Sequence, residues 1–211
     1  MRAVPRLPAL LAAAALAACA HAPPDGPGAV VPVDGRPPAA SPASPPPTEY
    51  FPLAVGNSWT WVDRSPSGAP GSTPRRTVTI VARDADGFYL DDAKGALRVS
   101  QGCIQDRVRS LLCTPATLDR AWSSVLSETS TERYRITATG VAAQVPAGAF
   151  EGCIVVQART RAGEGAEIVL ETTYAPGVGP VRIETFAELG GKRIPQVRAE
   201  LAAYRNEGMR R

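Results

Sequence analysis

The chain has 211 residues, a length that fits one globular domain of moderate size. It carries 23 Lys and Arg against 20 Asp and Glu, and its net charge falls to about +1 without Arg2 and Arg6, which precede the first cysteine. A chain so close to neutrality lacks the basic excess that nucleic-acid binding requires, and we expect no nucleic-acid partner.

The first 18 residues have the pattern of an export signal. Arg2 and Arg6 are the only charged residues among them, and Leu7 to Ala18 is an apolar stretch rich in alanine and leucine. Its length suits the core of a signal peptide and is well short of the roughly 20 residues that a membrane-spanning helix needs. No later stretch is long and apolar enough to span a bilayer. The sequence therefore predicts a signal peptide over residues 1–18.

The signal ends in Leu16-Ala17-Ala18-Cys19, and these four residues resemble the lipobox of bacterial lipoproteins. The resemblance implies cleavage between Ala18 and Cys19, attachment of a diacylglyceryl group to the Cys19 thiol, and acylation of the new amine. Several acyl chains make such an anchor stable, because each buried CH₂ contributes about 0.8 kcal/mol. By the same resemblance, Ala20 in place of an aspartate favours the outer membrane. The implied protein is held in the cell envelope by membrane lipid, with its domain in the periplasm or on the surface.

Residues 19–48 are predicted to form a disordered, proline-rich tether. The stretch contains ten prolines and almost no large apolar residues. Such a composition cannot bury enough surface to offset the entropy of ordering. Extended at about 3.1 Å per residue, the tether would reach on the order of 90 Å from the bilayer. Residues 207–211, at the other end of the chain, are predicted to form a short disordered tail.

Residues 49–206 carry the pattern of an antiparallel β domain. Arg133 to Ala138 and Val197 to Ala203 alternate in polarity, and Cys153 to Val156 is apolar on both faces, as in a central strand. Turn residues recur at short intervals, as in Asp84 to Gly87. Helical periodicity is nowhere sustained, and parallel strands would need longer crossovers than the chain offers. The sequence predicts a mainly β fold, an antiparallel meander of about nine or ten strands.

Three motifs in this domain resemble those of a group of uncharacterised bacterial lipoproteins and periplasmic proteins. The motifs are Pro52-Leu53-x-Val55-Gly56-Asn57-x-Trp59, Val145-Pro146-Ala147-Gly148-x-Phe150-x-x-Cys153 and Tyr174-Ala175-Pro176-Gly177-Val178-Gly179-x-Val181. The resemblance implies a curved antiparallel sheet, similar in outline to the half-barrel of lipoprotein carriers, and the same compartment. It carries no assigned activity, so it transfers no functional residue.

Three cysteines follow Cys19, and export would place them in an oxidising compartment. Cys103 and Cys113 flank a segment that can fold as a hairpin about Asp106-Arg107, which would bring the two thiols to bonding distance. We predict a disulfide between Cys103 and Cys113, and a buried free thiol at Cys153. Three scattered cysteines in a domain without histidine do not suit a metal site, and we expect neither a metal nor a cofactor.

The three tryptophans are candidates for a ligand pocket. Trp59 and Trp61 stand two residues apart, so they share one face of a strand, and Trp122 follows later in the domain. They either line a pocket inside the curved sheet or fill its core, and the sequence leaves both interpretations open.

Arginines repeat the spacing Arg-x-Arg on separate predicted strands, at Arg107/Arg109, Arg133/Arg135 and Arg159/Arg161. If these strands are neighbours, the pairs would form a basic stripe suited to phosphate groups. Acidic residues close in sequence, among them Glu132 and Glu167, favour a mixed and solvated face instead.

Together these patterns predict a non-enzymatic module for binding or for envelope assembly, whose concave sheet face binds an envelope protein or an apolar ligand. The alternative is a carboxylate-dependent hydrolase that acts on cell-wall or surface glycans. Nucleophiles such as Ser123 and Ser124 have no histidine base within the domain, and the sequence contains no Gly-x-Ser-x-Gly elbow. The sequence therefore gives an enzyme little support.

Overall fold

The computed structural model describes residues 45–66 and 74–207. The predicted signal peptide, the cleavage and lipidation positions Ala18 and Cys19, and most of the predicted tether lie outside these residues. The predicted tail lies outside them too, apart from Glu207. The domain predicted for residues 49–206 is described except for residues 67–73.

In the described part of the chain, a short 3-10 helix, Pro47–Glu49, leads into twelve β-strands. The strands are β1 (Ser58–Asp63), β2 (Arg75–Arg83), β3 (Tyr89–Asp91), β4 (Ala96–Ser100), β5 (Cys103–Gln105), β6 (Ser110–Cys113), β7 (Ala121–Ser127), β8 (Ser130–Val145), β9 (Gly148–Gly163), β10 (Ala166–Ala175), β11 (Gly179–Leu189) and β12 (Lys192–Arg205). The mainly β fold is thus confirmed, with more strands than the about nine or ten predicted. Within the described ranges, no helix has the length and hydropathy that crossing a membrane requires.

The strands form one curved antiparallel sheet in the order β6-β5-β4-β3-β2-β1-β12-β11-β10-β9-β8-β7. Neighbours in the sheet are also neighbours in the chain, except that β1 pairs with β12. Side chains join the two edge strands, β6 and β7. The Trp122 Nε1–H donates to the Ser110 carbonyl oxygen at 2.5 Å, and the Ser110 N–H donates to Ser124 Oγ at 2.9 Å. The predicted meander therefore curves into a nearly closed, barrel-like sheet.

Alternation along the strands gives the sheet two different faces. On β8, Tyr134 and Ile136 are buried, whereas Arg133 and Arg135 are exposed. We call the face that carries Tyr134 and Ile136 the inner face, and the opposite one the outer face. Cross-strand pairing continues the inner face over five strands, through Ile136, Val156, Thr172, Ile183 and Ala199.

The segment before β1 packs over one end of the inner face. The Phe51 ring packs edge-on against Trp59, with ring centroids 5.4 Å apart, and also contacts Tyr174. Asn57 is only 1% exposed, and its side-chain Oδ1 accepts a hydrogen bond from the Glu207 N–H at 2.8 Å. This segment therefore connects the start of the described domain to its end, and its Phe51 ring packs in the core against Trp59.

The turn Ala175–Val178 between β10 and β11 supports the same end of the sheet. Gly177 has φ +69°, which suits the third position of a type II turn, where a left-handed backbone favours glycine. The Val178 N–H donates to the Ala175 carbonyl oxygen at 3.2 Å, and the Gly177 N–H donates to Glu49 at 2.6 Å. A proline–glycine pair thus fixes both the hairpin and its contact with the 3-10 helix.

The predicted disulfide between Cys103 and Cys113 is confirmed. These residues are direct cross-strand partners on β5 and β6, with Cα atoms 4.1 Å apart. Cys153 is free and fully buried, as predicted, and its Sγ lies 3.6 Å from the Phe150 carbonyl oxygen. Burial, and to a smaller extent the charge of Glu151, raises the pKa of the Cys153 thiol, which keeps it protonated and inert.

Among the described residues, three arginines of the outer face, Arg133, Arg135 and Arg159, are paired with acidic side chains. Glu167 contacts both Arg133 and Arg159, and Arg159 also pairs with Glu188 at 2.7 Å. Arg135 pairs with Asp119 at 2.8 Å on the same face. The hydrogen bond from Arg159 lowers the pKa of the Glu167 carboxyl, which keeps it ionised between the two arginines. The mixed, solvated face is confirmed for these residues.

Candidate ligand-binding groove

A groove of about 500 Å³ opens on the inner face, where β1 and β2 meet β11 and β12. Its volume lies in the range of small-molecule sites in proteins, roughly 300–1,000 Å³. The groove is lined by Trp61, Asp63, Pro74, Arg75, Arg76, Val78, Asp91, Ala93, Gly95, Ile183, Val197 and Ala199.

The floor of the groove is apolar. Trp61 on β1, Ile183 on β11 and Val197 on β12 line it, and Val197 is 45% exposed. Ile168 and Ile194, 38% and 47% exposed, continue this apolar surface along β10 and β12. The surface stays open because β11 and β12 have 11 and 14 residues, whereas β1 has 6 and ends beside Ala199. The long strands extend beyond the short ones, and their inner face lacks a covering layer within the described residues.

Among the described residues, four charged ones line the groove: Asp63, Arg75, Arg76 and Asp91. The Asp91 Oδ1 accepts hydrogen bonds from the N–H groups of Ala93 and Gly95, at 2.9 and 2.7 Å. The Asp63 Oδ1 accepts one from the Ser65 N–H at 2.7 Å, and hydrogen bonds from Ser65 lower the pKa of this exposed carboxyl. The ion pairs found among the described residues include neither Arg75 nor Arg76.

The structure separates the three tryptophans that the sequence singled out. Trp59 is 4% exposed and belongs to the core, where its Nε1–H donates to the Val178 carbonyl oxygen at 2.7 Å. Trp61 shares the face of Trp59, as predicted, and is the member of the three that lines the groove. Trp122 stacks on Tyr134, with ring centroids 5.4 Å apart, and joins β7 to β6. Trp59 therefore packs in the core, and Trp61 is the tryptophan that lies at the candidate groove.

A buried carboxylate, Glu132, lies on the inner face near the junction of β6 and β7. It is 9% exposed and accepts hydrogen bonds from the Tyr134 hydroxyl and from Thr160 Oγ1, the latter at 3.1 Å. The Nε of Arg109, in the β5–β6 turn, lies 3.0 Å from Glu132 Oε2. Burial, and after it the hydrogen bond to Glu132, raises the pKa of Tyr134, so the phenol stays protonated. Glu132 thus links the β5–β6 hairpin to β8 and β9.

From the sequence, Glu132 is expected only to neutralise nearby arginines. A signal for its buried position was present, because Glu132, Tyr134 and Ile136 alternate with Arg133 and Arg135 on one strand. Among the described residues, no group of three or more His, Cys, Asp or Glu side chains could hold a metal ion.

A second concavity, of about 640 Å³, lies at the glycine-rich turns of the β9–β10 and β11–β12 hairpins. Its charged lining residues include Glu167 and Glu188, and both of these pair with Arg159. Its walls are turn backbone and charged side chains, whereas the groove at Trp61 offers an apolar floor. We therefore take the groove as the candidate site.

Comparisons with known proteins add little to this geometry. No protein-family model matches the chain, and no curated protein matches it. Among solved structures, the chain is similar to one described as "a putative lipoprotein from Parabacteroides distasonis", at 12% sequence identity and a TM-score of 0.44. The match covers 74% of this chain and 98% of that one. A similarity of this degree assigns no function.

Proposed function

We propose that this chain is a lipid-anchored envelope protein whose β domain is a non-enzymatic binding module for apolar ligands. The observation that carries the proposal is the open apolar floor formed by Trp61, Ile183 and Val197 inside a curved sheet. Large apolar side chains that stay exposed within a concave face favour ligand binding over simple packing. An alkyl chain fits such a floor, because each CH₂ that it buries contributes about 0.8 kcal/mol and needs no polar partner.

Replacing Trp61 with alanine is expected to weaken the binding of dodecanol by roughly tenfold, since about 1.4 kcal/mol of apolar contact would be lost. Isothermal titration calorimetry of the purified chain measures the affinity. Val125→Ala is the control, because Val125 is 68% exposed and does not line the groove. Equal affinity in the native chain and in Trp61→Ala would contradict the site. Absence of dodecanol binding to the native chain would contradict the function and favour an envelope protein as the partner.

The anchoring half of the proposal rests on the resemblance of Leu16-Ala17-Ala18-Cys19 to a lipobox. Metabolic labelling with radioactive palmitate in the native host is expected to label the protein, and Cys19→Ser is expected to abolish the label. Cys153→Ser is the matched control, because it removes a buried thiol of the domain and should keep the label. Label that persists in Cys19→Ser, or a native chain that takes up none, would contradict the anchor.

A carboxylate-dependent glycan hydrolase is the second candidate, because Asp63 and Asp91 line the same groove. Such an enzyme needs one carboxyl whose pKa is raised, so that it can donate a proton near neutral pH. The pKa of Asp63 is instead lowered by Ser65, and Asp91 holds the turn of Ala93 and Gly95 through two backbone N–H groups. These contacts favour structural roles for both carboxylates and support the binding module.

A further inference from the structure

We infer that the groove selects amphiphiles with an anionic headgroup, and that Arg76 binds that headgroup. This inference rests on the proposed function, since it assigns the polar end of a ligand whose alkyl chain lies on the apolar floor. The chemistry named is an alkyl chain that ends in a carboxylate or a phosphate.

The position of Arg76 puts a cation directly beside the apolar floor. Arg76 and Trp61 are cross-strand partners on β2 and β1, so their side chains share the inner face. Val78, two residues further along β2, lies on the same face and lines the groove as well. A ligand chain packed on Trp61 and Val78 would therefore end within reach of the Arg76 guanidinium.

The contacts of the charged groups around the groove leave the Arg76 guanidinium available to an anion. The charged residues in the described part of its lining are two arginines and two aspartates, and both aspartates accept hydrogen bonds from the backbone of their own turns. Arg76 is exposed and belongs to none of the ion pairs of the described chain. Three arginines of the outer face contrast with it, since Arg133, Arg159 and Arg198 each contact a glutamate. Arg76 is therefore a cation that has kept its binding capacity at the edge of an apolar surface.

The geometry of the guanidinium group also suits the binding of an anionic headgroup. Its planar set of N–H donors binds carboxylate and phosphate oxygens in pairs, which a lysine ammonium cannot do. A neutral alcohol would make a weaker contact, and a quaternary ammonium would be repelled. The groove should therefore rank ligands of equal chain length by the charge of their headgroup.

The test compares four probes that share one alkyl chain: dodecanoate, dodecyl phosphate, dodecanol and dodecyltrimethylammonium. Their affinities for the purified full-length chain are measured by calorimetry, below the concentration at which each forms micelles. Dodecanoate and dodecyl phosphate are expected to bind about tenfold or more tightly than dodecanol, as for a hydrogen bond to a charged group. Dodecyltrimethylammonium should bind most weakly. The ratio of the first two affinities shows whether the site prefers a carboxylate or a phosphate.

Variants at Arg76 separate charge recognition from apolar binding. Arg76→Gln is expected to lower the affinity for dodecanoate to about that for dodecanol, and Arg76→Glu should reverse the preference. Arg135→Gln is the matched control, because Arg135 is an exposed arginine of the outer face that pairs with Asp119. Circular dichroism establishes that the variants are folded. Equal affinities for all four probes, or an unchanged preference in Arg76→Gln, would overturn this inference and leave the proposed function standing. Binding of none of the probes would overturn the proposed function itself.

Discussion

Replacing Trp59 with alanine is expected to lower the free energy of unfolding by about 3–5 kcal/mol. Trp59 is 4% exposed, and its ring packs edge-on against Phe51 with centroids 5.4 Å apart. The substitution would leave a cavity. It would also remove the hydrogen bond that the Val178 carbonyl oxygen accepts from the indole N–H at 2.7 Å. Urea denaturation followed by circular dichroism measures the loss. Trp59→Phe should fall between the native chain and Trp59→Ala, since it keeps an aromatic ring and loses the donor.

Trp61→Ala is the matched control for this prediction, because Trp61 lies on the same strand and on the same face. Trp61 is only partly buried and lines the open groove, so its loss should cost about 1 kcal/mol or less. The two tryptophans should thus divide their roles, Trp59 for stability and Trp61 for ligand affinity. Equal destabilisation by the two substitutions would contradict that division.

Removing the disulfide by Cys103→Ala together with Cys113→Ala is expected to cost about 2–3 kcal/mol. The two cysteines are 10 residues apart, and the crosslink lowers the entropy of the unfolded chain by closing that loop. The bond also fixes β5 against β6, the edge strand whose Ser110 meets Trp122 and Ser124 of β7. The free energy of unfolding in urea, measured without reductant for the native chain and the double variant, gives the cost.

Reductant supplies the internal control for the disulfide. Dithiothreitol should destabilise the native chain by a similar amount and should leave the double variant unchanged. Cys153→Ala, which removes the free thiol and keeps the crosslink, should remain sensitive to dithiothreitol. A double variant that loses as much stability in dithiothreitol as the native chain would show that the crosslink is not the cause.

Much of the fold could be predicted because its signals are local. The alternation along β8, the opposed cysteines of the β5–β6 hairpin and the proline–glycine turn at Ala175–Val178 each need only a few neighbouring residues. The pairing of β1 with β12 joins Ser58 to Arg205, and no local pattern encodes a contact over that distance.

The candidate groove could be predicted only in part. Trp61 was named from the sequence, but its partners Ile183 and Val197 come from strands more than a hundred residues away. Trp59 and Trp61 lie on the same face of the same strand. Their surroundings differ because Phe51 packs against Trp59. Arg76 could not be identified from the sequence, because a sequence does not show which arginines form ion pairs. Among the described residues, Arg76 forms none.

The most direct test of the groove as a binding site is a methyl NMR titration of the purified chain with dodecanoate. Isoleucine and valine methyl groups are labelled, and their chemical shifts are followed as the probe is added. The shifts should change at Ile183, Val197 and Val78, which line the groove, and should stay constant at Val125, which does not. Constant shifts at Ile183 and Val197 under saturating dodecanoate would contradict a binding site on the inner face.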